Sequence, residues 1–288
     1  MRLGFWLATC LSTAFAQVHM ESPIWSPDAK RIVFAMSLSE QGTDWNLYIA
    51  NIDGTGLRRL TWSGGWDPAW SPDGASLAFV STIDGKRQIS SMSVDGTAVR
   101  QLTKGDGESF HPAWSPTGAK LAFTCRSGTT SRICVMNADG SQIHAVTEVN
   151  QQCRWPAWSP DSKRIAYNSQ GEVWTTNLET GERVHLFTAG PAASMLDWSP
   201  DGQQILFAAA TAGMAGIQVF AISTGETRGI LTDEKRRILA DWQPAQPRWS
   251  PDGRQVLFVA GDSNPCVYVL DLRTSDVRRV VAAGGVHN

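Results

Sequence analysis

The sequence is poor in charge. Charged residues make up 18% of the 288-residue chain, too few for a solvated, disordered polymer. Acidic and basic side chains nearly cancel, 27 against 25, for a net charge of −2. No broad basic face is therefore available to grip nucleic acid. Beyond the first residues no apolar run reaches the ~18 residues of a membrane-spanning helix, so no transmembrane segment is expected. Gly-x-Ser-x-Gly is absent, and Gly261-Asp262-Ser263 lacks the context of a nucleophile elbow. No phosphate-binding glycine loop occurs. Tyrosine is scarce as well: three Tyr stand against thirteen Trp. So lopsided a choice of aromatics suggests one Trp reused in a repeated role.

The N-terminus reads as an export leader. Arg2 precedes the apolar run Leu3-Gly4-Phe5-Trp6-Leu7-Ala8, and Ala14-Phe15-Ala16 is a small-x-small cleavage pattern. The expected division is residues 1–16 as signal peptide and 17–288 as one mature domain, periplasmic or secreted. Lipid attachment at Cys10 is an alternative, which Thr9 just before it fits poorly. A retained N-terminal strand is the other. Four cysteines then remain, Cys125, Cys134, Cys153 and Cys266, in a compartment that permits disulfides.

Six segments read Trp-Ser-Pro, starting at Trp25, Trp70, Trp114, Trp158, Trp198 and Trp249, with gaps of 45, 44, 44, 40 and 51 residues. Three residues on stands Asp in all but the third, which has Thr117. Gly follows in four, with Ala29 and Ser162 in the other two. Pro then Asp-Gly is turn chemistry. Seven residues after each Trp comes an aliphatic, and nine after it a ring: Phe34, Phe79, Phe123, Tyr167, Phe207 and Phe258. That period of two predicts a strand. A third strand such as Leu47-Tyr48-Ile49, a turn such as Asn51-Ile52-Asp53-Gly54 and a short Arg-rich strand such as Leu57-Arg58-Arg59-Leu60 complete the unit. Charge on that last strand protects a sheet edge. Each unit is thus a four-stranded antiparallel sheet that cannot cover both faces alone. Six around an axis can, which makes the chain an all-β, six-bladed β-propeller. Every repeat runs from inner to outer strand, so blade one should meet blade six by side-chain packing alone.

The pattern x-Pro-x-Trp-Ser-Pro-Asp-Gly, then Φ-Ala-Phe, then Asn-x-Asp-Gly and Leu-Thr, resembles the WD-like repeats of the TolB-type six-bladed β-propellers over residues 22 to 281. The extra N-terminal domain of TolB itself has no counterpart in this pattern. The resemblance implies fold firmly and function weakly, because propellers host many activities.

In this strand order the Trp-Ser-Pro-Asp-Gly and Asn-x-Asp-Gly turns share one side of the disc. Their Asp residues are expected to bond their own turns, and their spacing does not suit a calcium loop. The other side varies between repeats, and variation on a fixed scaffold is where binding resides. Three residues before each signature Trp stand Ser22, Asp67, His111, Trp155, Met195 and Gln246; one residue earlier stand Glu21, Trp66, Phe110, Arg154, Ser194 and Ala245. These are expected to ring the mouth of the central channel as an aromatic and polar rim, suited to a protein anchor or a sugar face. The alternative is that the rings plug the channel. The long segment before blade six, with Trp242 in a second Trp-x-Pro, reads as a decayed signature or a lid. Cys125 and Cys134, symmetric about Thr129 and Thr130, should lie opposite each other and form a hairpin disulfide. Cys153 and Cys266 fall in different blades and are expected to be unpaired.

Of five histidines only His111 is placed to face the channel, and a metal site needs three or four ligands. The oligogalacturonate lyases, which use similar repeats, need several. Glu21 and Asp67 could pair for acid–base work, without other support. The expected function is an exported, non-enzymatic, cofactor-free scaffold that docks an envelope or secreted protein as a monomer. A glycan or small molecule at the rim is the alternative, and a polysaccharide lyase or hydrolase a more remote one.

Overall fold

A computed structural model describes residues 18–39, 41–148, 151–191, 193–209, 216–231, 245–261 and 265–281. The expected leader, residues 1–16 with Cys10, and the segment 232–244 with Trp242 lie outside the described residues.

Among the described residues twenty-four strands form six sheets, each of four sequence-consecutive antiparallel strands. The blades cover 19–59, 66–101, 108–145, 153–188, 194–229 and 245–281. The fold is a six-bladed β-propeller. Its radial order follows from local chemistry. In the first turn Ser26 Oγ donates to Asp28 Oδ1 at 2.5 Å, and Lys30 N–H donates to the same oxygen at 3.1 Å. The arrangement recurs at Asp73, Asp161, Asp201 and Asp252. Thr117 substitutes its hydroxyl, 3.1 Å from Ser115 Oγ. The seryl hydroxyl, then the backbone N–H, hold these carboxyls below the usual range. Their lone pairs serve the turn, as expected of Asp there.

The two turn types meet on one side of the disc. Ile52 N–H donates to Lys30 O at 2.9 Å, and the equivalent bond recurs in the other five blades. The loops between second and third strands, and those leading into the next blade, are thereby left to the opposite side.

Each second strand is the buried spine of its blade. Phe34, Phe79, Phe123, Tyr167, Phe207 and Phe258 are all buried. Trp70, Leu77 and Phe79 of blade two pack on Ile24, Val33 and Leu47 of blade one. Each such side chain contributes roughly 1.5–3 kcal/mol by leaving water. Blade one meets blade six in the same manner: Phe34, Met36 and Tyr48 join Leu257, Val259 and Val267 in one cluster. No sheet among the described residues spans that seam.

The disulfide expectation holds, but its geometry differs. Cys125 and Cys134 are bonded, with Cα atoms 5.9 Å apart. They are diagonal neighbours, because Cys125 pairs with Arg132 and Phe123 with Cys134. The hairpin turns at Gly128-Thr129, between paired Ser127 and Thr130, one residue earlier than the cysteines' own midpoint. The offset of two keeps both sulfurs on one face of the sheet. Cys153 and Cys266 are buried thiols outside any disulfide.

Candidate functional site at the channel mouth

The site is built by a backbone feature repeated in all six blades. Ser22, Asp67, His111, Trp155, Met195 and Gln246 each have positive φ, between 43° and 57°. Each sits where the register between inner and second strands shifts, a β-bulge. Proline follows in five of the six, which keeps the bulge residue out of the right-handed helical region. A left-handed non-glycine residue costs of order 1–3 kcal/mol and persists only where its surroundings impose it. The bulge frees one side chain per blade from the ladder.

Five of these side chains, those of Ser22, Asp67, His111, Trp155 and Met195, line a central cavity of about 290 Å³. The signature tryptophans line it further down. Trp158 Nε1 donates to Ala113 O at 3.0 Å, bonding its blade to the one before. At the rim Ser22 Oγ donates to Asp67 Oδ1 at 2.8 Å, and His111 Nε2 lies 3.8 Å from Asp67 Oδ2. His111 Nδ1 is 3.2 Å from Thr124 Oγ1, and its ring lies 5.7 Å from that of Trp155. Burial, joined by the positive charges of Arg154, Arg248 and Arg87, outweighs Asp67 and lowers the His111 pKa. His111 is therefore held neutral, a hydrogen-bonding group rather than a cation.

The residues one step earlier in the chain do not share the cavity. Glu21 sits with Gln246 in a notch between blades one and six. There Ser22 N–H donates to Gln246 Oε1 across the seam. Glu21 is exposed by surface area although crowded by protein. Loss of hydration, then the Asp67 carboxylate, push its carboxyl up to about 7. Trp66 and Phe110 flank the Arg87 guanidinium at 5.9 and 5.4 Å. Phe110 is buried, whereas Arg154 is exposed. Ser194 and Ala245 are half-buried.

Two functional-looking residues escaped the sequence reading. Directly before the signature Trp stand Ile24, Ala69, Ala113 and Ala157 in blades one to four, but Asp197 and Arg248 in blades five and six. Both face the cavity. Trp249 N–H donates to Asp197 Oδ2 at 2.8 Å, and Arg248 Nη1 donates to Leu196 O at 3.0 Å. The two blades thus clasp each other at the hub. Burial raises the Asp197 carboxyl to about 6, against the opposing pull of Arg248 and two backbone N–H groups. A break from small apolar residues to opposite charges at one repeat position was the available signal.

Among the described residues no group of three or more His, Cys, Asp or Glu side chains is arranged to hold a metal ion. No described helix is long and apolar enough to cross a membrane.

Comparison with known proteins agrees with this geometry. TolB from Acinetobacter baumannii superposes with a TM-score of 0.69 at 18% identity, over 91% of this chain and 63% of that one. A putative TolB from Agrobacterium tumefaciens gives 0.68 at 22% identity, over 81% of this chain and 87% of the other. Both likenesses concern the fold. Dipeptidyl-peptidase 5 of Porphyromonas endodontalis is 33% identical over 84 residues, which are 27% of this chain and only 12% of the peptidase. The TolB beta propeller domain matches residues 9–152 and 125–288, nearly the whole sequence, and the chain belongs to that family.

Proposed function

We propose that the protein is an exported, non-enzymatic scaffold that docks an envelope or secreted protein partner at the channel mouth. The observation that carries this reading is the ring of six left-handed bulges. They present six different side chains on one rigid circle, where a purely structural device would repeat one chemistry. Trp155, Asp67 and His111 combine an aromatic anchor with oriented hydrogen-bonding groups, the composition of a protein-binding hot spot. Export is supported by the Cys125–Cys134 bond, since such bonds persist in oxidising compartments.

The test is affinity capture from an envelope extract on the immobilised full chain. One protein should be retained, and Trp155→Ala or Arg154→Glu should abolish its retention. Capture that ignores both substitutions defeats the reading. The Trp-lined cavity favours a glycan or small molecule as the second possibility. Titration of tryptophan fluorescence with a sugar library decides it, and an unchanged spectrum removes it. Turnover in a uronide assay would remove the non-enzymatic part.

A further inference from the structure

The mouth carries a second chemistry that the bulges do not explain. Trp62 follows the outer strand of blade one and is 76% exposed. The Arg59 guanidinium lies over its ring at 4.5 Å from the centroid, and Arg59 Nε donates to Thr61 O at 2.6 Å. The loop is shaped by its glycines: Gly64 adopts φ +94°, and a Cβ on Gly65 would stand 2.9 Å from Leu47 Cγ and Thr61 Oγ1. It runs inward to Trp66. There Arg87 is wedged between Trp66 and Phe110, and Arg126 covers Phe110 at 4.9 Å.

The charges here are unevenly matched. Arg126 pairs with Glu108, and Lys86 with Asp106. Asp67 accepts a hydrogen bond from Ser22 and lies 3.8 Å from His111, both of them neutral partners. Among the described residues the guanidinium groups of Arg59, Arg87 and Arg154 are thus without a direct ion pair, although Glu108 also acts on Arg87 from farther off. A guanidinium held on its faces by aromatic rings keeps its N–H edge outward. In that pose it is preorganised for a carboxylate.

We propose that this track, from Trp62 at the outer edge to Arg87 and Arg154 near the hub, docks an acidic peptide segment of the partner. Partner carboxylates meet the edges of Arg59 and Arg87, and an apolar partner side chain covers the face of Trp62. Charge complementarity of this kind sets partner choice and orientation, while Trp and Arg supply most of the binding energy. The inference rests on the reading that the mouth binds a protein.

Fluorescence anisotropy on the full chain tests it, with a labelled peptide of alternating Glu and Leu against the same peptide carrying Gln for Glu. The Glu peptide should bind at least about tenfold more tightly, because its hydrogen bonds are charge-assisted. Arg87→Gln and Trp62→Ala should each weaken it about tenfold. Arg273→Gln, on the turn side of blade six, should leave it unchanged. No binding of the Glu peptide, equal binding of both peptides, an equal loss in Arg273→Gln, or tighter binding of polygalacturonate overturns the proposal. Should the peptide fail while capture from extract still depends on Trp155, the mouth reading survives and the acidic-segment assignment falls.

Discussion

Glu21 shows how far a single side chain's behaviour depends on its neighbours. In the sequence it is one carboxylate among many. In the fold it is crowded at the seam and lies near Asp67, and its carboxyl rises from 4.5 to about 7. The folded protein holds this proton more tightly than the unfolded chain does. Stability from Glu21 is therefore present at acidic pH and is lost as pH rises from 4.5 through 7. A carboxyl carbon titration by NMR should place the Glu21 midpoint near 7. Asp67→Asn should lower that midpoint only in part, because lost hydration is the larger cause. A midpoint in the usual carboxylate range would mean that the seam leaves Glu21 fully hydrated.

The turns are the elements in which sequence irregularities have visible consequences. Four blades place Gly after the turn Asp or Thr, with φ between 70° and 73°. Ser162 occupies the same position in blade four at φ 59°, and its buried hydroxyl has no hydrogen-bond partner. Ser162→Gly should therefore stabilise the protein by about 1 kcal/mol, relieving both left-handed strain and an unmet hydroxyl. Gly96 predicts the opposite sign. Its φ is +93°, and a Cβ there would stand 2.9 Å from Leu60 O of the preceding blade. Gly96→Ala should cost about 1–3 kcal/mol. Urea denaturation of both variants checks the pair, and equal midpoints would contradict it. In Ser93-Val94-Asp95-Gly96 the Asp-Gly pair carries the turn chemistry, with Ser in place of the Asn of the turns in blades one and three. The close approach of Gly96 to the preceding blade was not legible, because that contact joins two repeats. The six bulges were hidden for a related reason. Ser, Asp, His, Trp, Met and Gln share no propensity for positive φ; the demand comes from the shift in register between inner and second strands.

At the scale of the molecule, closure is the weak feature. All six sheets are complete from consecutive strands, so the ring is sealed between blades one and six by packing and a few bonds. Ser22 N–H donates to Gln246 Oε1, and Arg278 Nη1 donates to Ile52 O at 2.9 Å. Every interface between blades is side-chain packing, but at the others the chain itself passes from one blade to the next, and between blades one and six it does not. In native-state hydrogen exchange, amides of strands His19–Trp25 and Val277–Val281 should exchange ahead of those in Lys120–Ser127 and Thr130–Asn137, the pair cross-linked by the disulfide. Greater protection at the seam would show that its packing exceeds that of the interior blades. The radial aromatic track belongs to this scale too. Trp62, Trp66, Arg87 and Phe110 come from three blades, and only the ring places them side by side.

The sequence by itself determined the blade, its number and its strand order. Those properties are local: an alternating spine, a Pro-Asp-Gly turn and a period that leaves one face uncovered are each complete within a few dozen residues. The tertiary structure decided which variable residues share the hub, which arginines come to lie over aromatic rings, and that Asp197 and Arg248 clasp two blades. Such relations form between repeats far apart in the chain, at distances set by closure of the wheel, and no single repeat contains them.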